Sequence, residues 1–124
     1  MDNDLTRRVI GCAIEVHRTL GPGLLEAVYE ACVCYELDQA GITFARQHHL
    51  PVVYKGNPVN CDLKIDILVE QSLILEIKSV PQVLPVHEAQ LLTYLKLSGR
   101  RLGLLINFNV VLLKDGVKRL ANSL

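Results

Sequence analysis

Two acids and a lysine stand among residues that otherwise belong in a core. Asp66 lies between Ile65 and Ile67, and ten positions later Glu76 and Lys78 flank Ile77 at the end of the apolar run Leu73-Ile74-Leu75. Cys61 to Val69 alternates like a half-buried strand, with Leu63, Ile65 and Ile67 on one side and Asp62, Lys64 and Asp66 on the other. Glu70-Gln71-Ser72 separates the two runs, which together read as a hairpin. Pairing Val69 with Leu73 sets Asp66 opposite Glu76 and Lys64 opposite Lys78. Directly opposed residues have Cβ atoms about 4.5–5.5 Å apart, a distance at which like charges destabilise a sheet. A divalent cation removes that repulsion, because Mg2+ accepts one or two carboxylates while keeping waters for a phosphate. The two-residue period of a strand puts Lys78 on the face of Glu76 and turns Ile77 into the core. The plain alternative is a solvated ion pair worth under about 1 kcal/mol.

The elements that must hold these groups follow from local pattern. From Asp4 to Leu20 the apolar residues Leu5, Val9, Ala13, Val16 and Leu20 recur every three or four positions, the stripe of an amphipathic helix. Gly21-Pro22-Gly23 ends it, and Pro22 suits the opening turn of a second helix that Leu25, Val28, Cys32 and Tyr35 carry toward a stop at Gly41. His49 to Tyr54 reads extended and Lys55-Gly56-Asn57-Pro58 reads as a turn. Pro85 opens a helix that runs to Ser98 and closes at Gly99, followed by a buried strand, Leu102 to Phe108, and a hairpin around Lys114-Asp115-Gly116. This order predicts an α/β fold with a mixed central β-sheet flanked by helices, in one domain spanning residues 1–124.

Composition narrows the function. The chain has 124 residues, 50% hydrophobic and 21% charged, the balance of a globular domain. The four cysteines form no CxxC pair and read as buried free thiols rather than zinc ligands. Thirteen basic residues balance thirteen acidic ones, so contact with nucleic acid must be local rather than driven by overall charge. The longest stretch without acid or base, Leu102 to Leu113, is 12 residues, short of the roughly 20 that cross a membrane. Acids at Asp2 and Asp4 stand where a secretory signal carries bases, so a cytoplasmic protein is expected.

Two further motifs add to the acidic pair. Gly23-Leu24-Leu25-Glu26-Ala27-Val28-Tyr29 has the pattern GxxExxY, and His87 to Lys96 contains QxxxY in Gln90 and Tyr94. With Leu104-Leu105-Ile106-Asn107-Phe108 downstream, nearly the whole chain resembles the GxxExxY proteins, small members of the PD-(D/E)xK nuclease-like superfamily with a restriction-endonuclease-like core. The resemblance implies that Asp66 is the acid of the core hairpin, that Glu76 and Lys78 form the (D/E)xK element, and that Glu26 is a helix-borne acid. It also implies that Gln90 and Tyr94 are a QxxxY element beside the active site. Lys64 departs from the small residue usual two places before the hairpin acid.

The activity so implied is metal-dependent hydrolysis of phosphodiester bonds in nucleic acid, DNA ahead of RNA. Asp66, Glu76 and the backbone carbonyl of Ile77 would bind Mg2+ or Mn2+, with Glu26 completing the shell. Lys78 would position water or offset developing charge. Lys96, Arg100 and Arg101, with Lys114, Lys118 and Arg119 as a second group, are candidate phosphate contacts. Two other readings stand beside this one: a nuclease-fold module that binds nucleic acid or a protein without cutting, and a homo-oligomer that gains its substrate surface by pairing.

Overall fold

The computed structural model describes residues 2–123, with side chains from Asp4 onward. Val9, Ala13 and Val16 form the buried stripe of α1 (Asp2–Leu20), while Leu20 at its end is 38% exposed. The second helix, α2 (Glu26–Gln39), starts four residues after Pro22 rather than at it. The reason lies in Tyr29, whose hydroxyl donates to Gly21 O at 2.6 Å and accepts from Leu24 N–H at 3.1 Å, stapling the intervening loop outside the helix. Gly21 (φ 74°) and Gly23 (φ 96°) supply the left-handed turns that this loop needs.

Anchoring by Tyr29 also rotates the buried face of α2. Tyr29, Glu30, Val33, Cys34 and Leu37 are buried. Three of the four residues of the expected stripe instead face outward, with Leu25 76%, Val28 40% and Tyr35 61% exposed, while Cys32 is half-buried against the core. Tyr29 stacks on Phe108 with ring centroids 4.5 Å apart, which fixes the choice of face. Gly41 (φ 72°) ends the helix as its pattern predicts, with Ile42 N–H donating to Leu37 O at 3.0 Å.

Seven strands follow: β1 (Phe44–His49), β2 (Val52–Tyr54), β3 (Asn57–Val59), β4 (Lys64–Val69), β5 (Leu73–Lys78), β6 (Leu102–Asn107) and β7 (Val117–Ala121). Five form a mixed sheet in the order β1-β4-β5-β6-β7, and β2 with β3 forms a separate ribbon. The β4–β5 hairpin has the expected register, Val69 opposite Leu73. Helix α3 (Pro85–Ser98) makes the crossover between the parallel strands β5 and β6 and ends at Gly99 (φ 68°), as predicted. A 3-10 turn, Leu113–Gly116, joins β6 to β7. Helices α1 and α2 cover one sheet face through Ile67, Leu75 and Ile77, and α3 covers the other through Ile65, Leu68 and Ile74.

Strict alternation along β4 fails at one point. Ile65 joins the α3 side and Ile67 the α1/α2 side, so the expected single face of Leu63, Ile65 and Ile67 is broken at Asp66. Both neighbouring ladders are interrupted there: β1–β4 pairing passes from Arg46↔Ile67 to His48↔Ile65, and β4–β5 pairing stops at Ile67↔Leu75. Lys64 therefore does not face Lys78; it pairs with His49, and its Nζ lies 3.6 Å from Asp62. Among the described residues the cysteines are free, Cys34 buried and the other three half-buried, and no helix is long and apolar enough to cross a membrane.

Candidate active site

The interruption in the ladders is where the predicted acids meet. Glu76 Oε2 accepts the backbone N–H of Asp66 at 3.0 Å, and Asp66 Oδ2 accepts the backbone N–H of Ile77 at 2.8 Å. Side-chain carboxylates thus replace the carbonyls that a continuous ladder would supply to these N–H groups. Each acid keeps one oxygen largely free: Asp66 Oδ1 has only a 3.5 Å contact from Gln47 Nε2, and no described residue donates to Glu76 Oε1.

Electrostatics follow from burial. Glu76 is 5% exposed, and burial, aided by the charge of Asp66, pushes its carboxyl up to about 8, against the pull of the Asp66 N–H and of Lys78. Burial also raises the Asp66 carboxyl, while the Ile77 N–H holds it down; the charge of Glu30 raises it and Lys78 lowers it. Lys78 therefore sits near both acids, half-buried, with no ion pair or hydrogen bond to its Nζ among the described residues. Tyr94, 8% exposed on α3, has its hydroxyl pKa raised first by burial and then by the charges of Glu76 and Asp66; Gln90 Nε2 donates to its oxygen at 3.1 Å.

Glu26 opens α2 and reaches the end of β5, where its Oε2 accepts the Ser79 N–H at 3.1 Å while Ser79 Oγ donates to Leu24 O at 2.6 Å. It thereby locks the helix start to the residue after Lys78. The motif tyrosine, Tyr29, is fully buried and serves the loop and core rather than the acidic pair. Ile77 packs its side chain in the core as expected. Arg100 belongs elsewhere: its guanidinium donates to Gln71 O at 3.1 Å, at the turn of the β4–β5 hairpin. That turn lies five residues from Glu76 along the chain, roughly 16 Å at strand rise. Lys96 and Arg101 are exposed near the same end.

Three residues beside Asp66 have no counterpart in the sequence reading. Glu30, 6% exposed on α2, accepts from Arg46 Nε at 2.6 Å and from Gln47 Nε2 at 2.9 and 3.1 Å. Glu30 follows Glu26 by four positions, a shared helix face that was open to inspection. Arg46 and Gln47 lie in the polar run Phe44 to His49, which carries no strand period to draw attention.

No group of three or more His, Cys, Asp or Glu side chains among the described residues is gathered closely enough to hold a metal ion. The donor chemistry of the pair nevertheless fits one: two desolvated carboxylates of like charge, each with a free hard oxygen, are what a divalent cation with retained waters accepts.

A mixed five-stranded sheet, helices on both faces, and an Asp on one hairpin strand meeting Glu-x-Lys on the other define a nuclease-like α/β core. Residues 3–120 match the family model of the PD-(D/E)XK nuclease superfamily, and the chain belongs to it. Nucleases of this superfamily generally use divalent metal ions. No curated protein and no solved structure is similar enough to match.

Proposed function

We propose that this protein hydrolyses phosphodiester bonds in nucleic acid, DNA in preference to RNA, with Mg2+ or Mn2+, in the cytoplasm. The observation that carries the reading is the crossed pair of half-buried Asp66 and buried Glu76, with Lys78 beside them. The motif Gly23 to Tyr29 supports a place in the GxxExxY branch of the superfamily.

Asp66 and Glu76 would hold the cation through their free oxygens. The carbonyl of Ile77 would join them, since in a strand it leaves on the same edge as the N–H that meets Asp66. Glu26 would act from the end of β5, through its anchor on Ser79. When bound, the ion supplies Lewis-acid stabilisation of the phosphate and an acidified water. Lys78 contributes an ammonium group that offsets negative charge developing on the phosphate. Gln90 and Tyr94 orient the substrate from α3, the amide and phenol already linked at 3.1 Å. Lys96, Arg100 and Arg101 contact phosphates at the far end of the sheet, a span that one strand covers in roughly five nucleotides.

The test is cleavage of single- and double-stranded DNA and RNA with Mg2+ or Mn2+, alongside Asp66→Ala and Lys78→Ala. Metal-dependent cutting that both variants lose supports the reading. Failure to cut any of the four, or equal cutting by the variants, ends it and leaves a binding module.

A further inference from the structure

Gln47 is the single described non-glycine residue inside a strand with left-handed backbone, φ 51°; the other three, Lys55, Glu70 and Gln71, lie in turns. Residues with a Cβ seldom adopt this conformation, and a long side chain has no intrinsic reason to. Packing does not account for it, because Gln47 is exposed. Its place does: it falls opposite Asp66, at the step the β1–β4 ladder skips.

In a regular strand successive side chains point to opposite faces. Arg46 and Gln47 are successive, yet both reach Glu30 on α2: Arg46 Nε at 2.6 Å, Gln47 Nε2 at 2.9 and 3.1 Å. The left-handed turn at Gln47 makes this possible by swinging its carboxamide to the side of Arg46. There the Nε2 group stands between two carboxylates, with Asp66 Oδ1 at 3.5 Å on its other side. It keeps a donor between like charges and limits rotation of the Asp66 carboxylate, whose Oδ2 is already held by the Ile77 N–H.

We infer that Gln47 is a positioning residue: its left-handed backbone is maintained so that the carboxamide, braced on Glu30, fixes the orientation of the Asp66 carboxylate beside Glu76. This rests on the cation-binding reading above. Groups that orient ligating carboxylates typically change metal affinity about ten- to a hundredfold when removed.

The experiment titrates Mn2+ alone into the metal-free wild-type protein, Gln47→Ala and Gln47→Gly by calorimetry, with thermal unfolding of each. Both variants lack the carboxamide, but only glycine accepts the backbone freely. The expected result is wild-type binding, an affinity loss of about tenfold or more, similar in both variants, and a higher melting temperature for Gln47→Gly than for Gln47→Ala. Affinity in either variant equal to wild type overturns the inference. So does an affinity loss that tracks melting temperature, with alanine much the worse, or failure of both variants to fold, since each marks a structural role only. Absence of binding in the wild type overturns the cation reading together with the inference, a result distinct from equal binding by all three proteins.

Discussion

Glu76 accepts the backbone N–H of Asp66 at 3.0 Å, and Asp66 answers by accepting the N–H next to Glu76, that of Ile77, at 2.8 Å. Each acid satisfies a backbone donor that the parted strands leave without a carbonyl, so the opening in the sheet is held by the groups that line it. A buried acid, Glu76, and a half-buried one, Asp66, are brought together, and their repulsion is answered by two N–H donors and one nearby ammonium.

That balance predicts how the metal-free protein responds to pH. The folded-state value of Glu76 is raised from 4.5 to about 8, so the folded protein holds a proton that the unfolded chain releases. The associated stability is complete below pH 4.5, declines as pH rises, and is gone once pH passes about 8. Asp66 is shifted in the same direction, and the two titrate as a pair. Thermal unfolding without metal is expected to show stability falling between pH 5 and 8 by on the order of 3 kcal/mol. Glu76→Gln, which cannot ionise, should flatten the profile; an unchanged slope in that variant would refute the assignment.

Tyr29 yields a prediction about stability alone. Its hydroxyl bridges Gly21 O at 2.6 Å and Leu24 N–H at 3.1 Å, and its ring stacks on Phe108. Tyr29→Phe keeps the ring and strips the staple, for a loss of about 1–2 kcal/mol. Tyr29→Ala also empties a buried site, for about 3–5 kcal/mol. Urea unfolding should show the midpoint falling in that order, with the slope unchanged for the phenylalanine variant. No loss in the phenylalanine variant would mean that the hydroxyl contributes nothing, and a loss equal to that of alanine would mean that the ring does not.

The parts of this molecule that were legible in the sequence rest on local signals. Pro85 and Gly99 bound α3 because one suits a helix start and the other a left-handed stop, and three polar residues between apolar runs set Val69 opposite Leu73. What escaped depends on contacts between distant segments. The face of α2 is chosen by stacking of Tyr29 on Phe108, far downstream, against a plausible apolar stripe of its own. The polar segment Phe44–His49 becomes a strand by pairing with β4. The break at Asp66 hides inside an unbroken sequence alternation, because it coincides with contacts from distant residues, Gln47 across the ladder and the Glu76 carboxylate. The meeting of Asp66 and Glu76 could therefore be read from the sequence, and the contacts of Glu30, Arg46 and Gln47 around Asp66 could not.

Salt dependence separates the basic groups. Arg100 is engaged with Gln71 O at 3.1 Å, while Lys96 and Arg101 are exposed without an ion pair among the described residues. If all three touch phosphate, replacing each with alanine lowers the slope of log affinity against log salt by about 0.9 on duplex DNA. Filter binding over a salt series measures this, using Asp66→Ala to prevent cutting. The expected outcome is a shallower slope for Lys96→Ala and Arg101→Ala and a smaller change for Arg100→Ala, whose first loss is its tie to the hairpin turn. A slope indifferent to all three would move the nucleic-acid surface off this end of the sheet.

Lys78 distinguishes catalysis from metal capture. Its ammonium group is close enough to lower the proton affinity of both Asp66 and Glu76, yet it forms no ion pair with either among the described residues. A cation between the acids would be repelled by that charge, so Lys78→Ala should bind Mn2+ at least as tightly as the wild type. A phosphate passing through a more negative transition state would be stabilised by it, so the same variant should cut more slowly by about 10²–10³-fold. Asp66→Ala should fail in both assays, having lost a ligand. Calorimetry with Mn2+ beside single-turnover cleavage reads the two effects separately. Should Lys78→Ala lose metal and activity in parallel, the lysine would be a support for the acids, and charge stabilisation would have to come from another group.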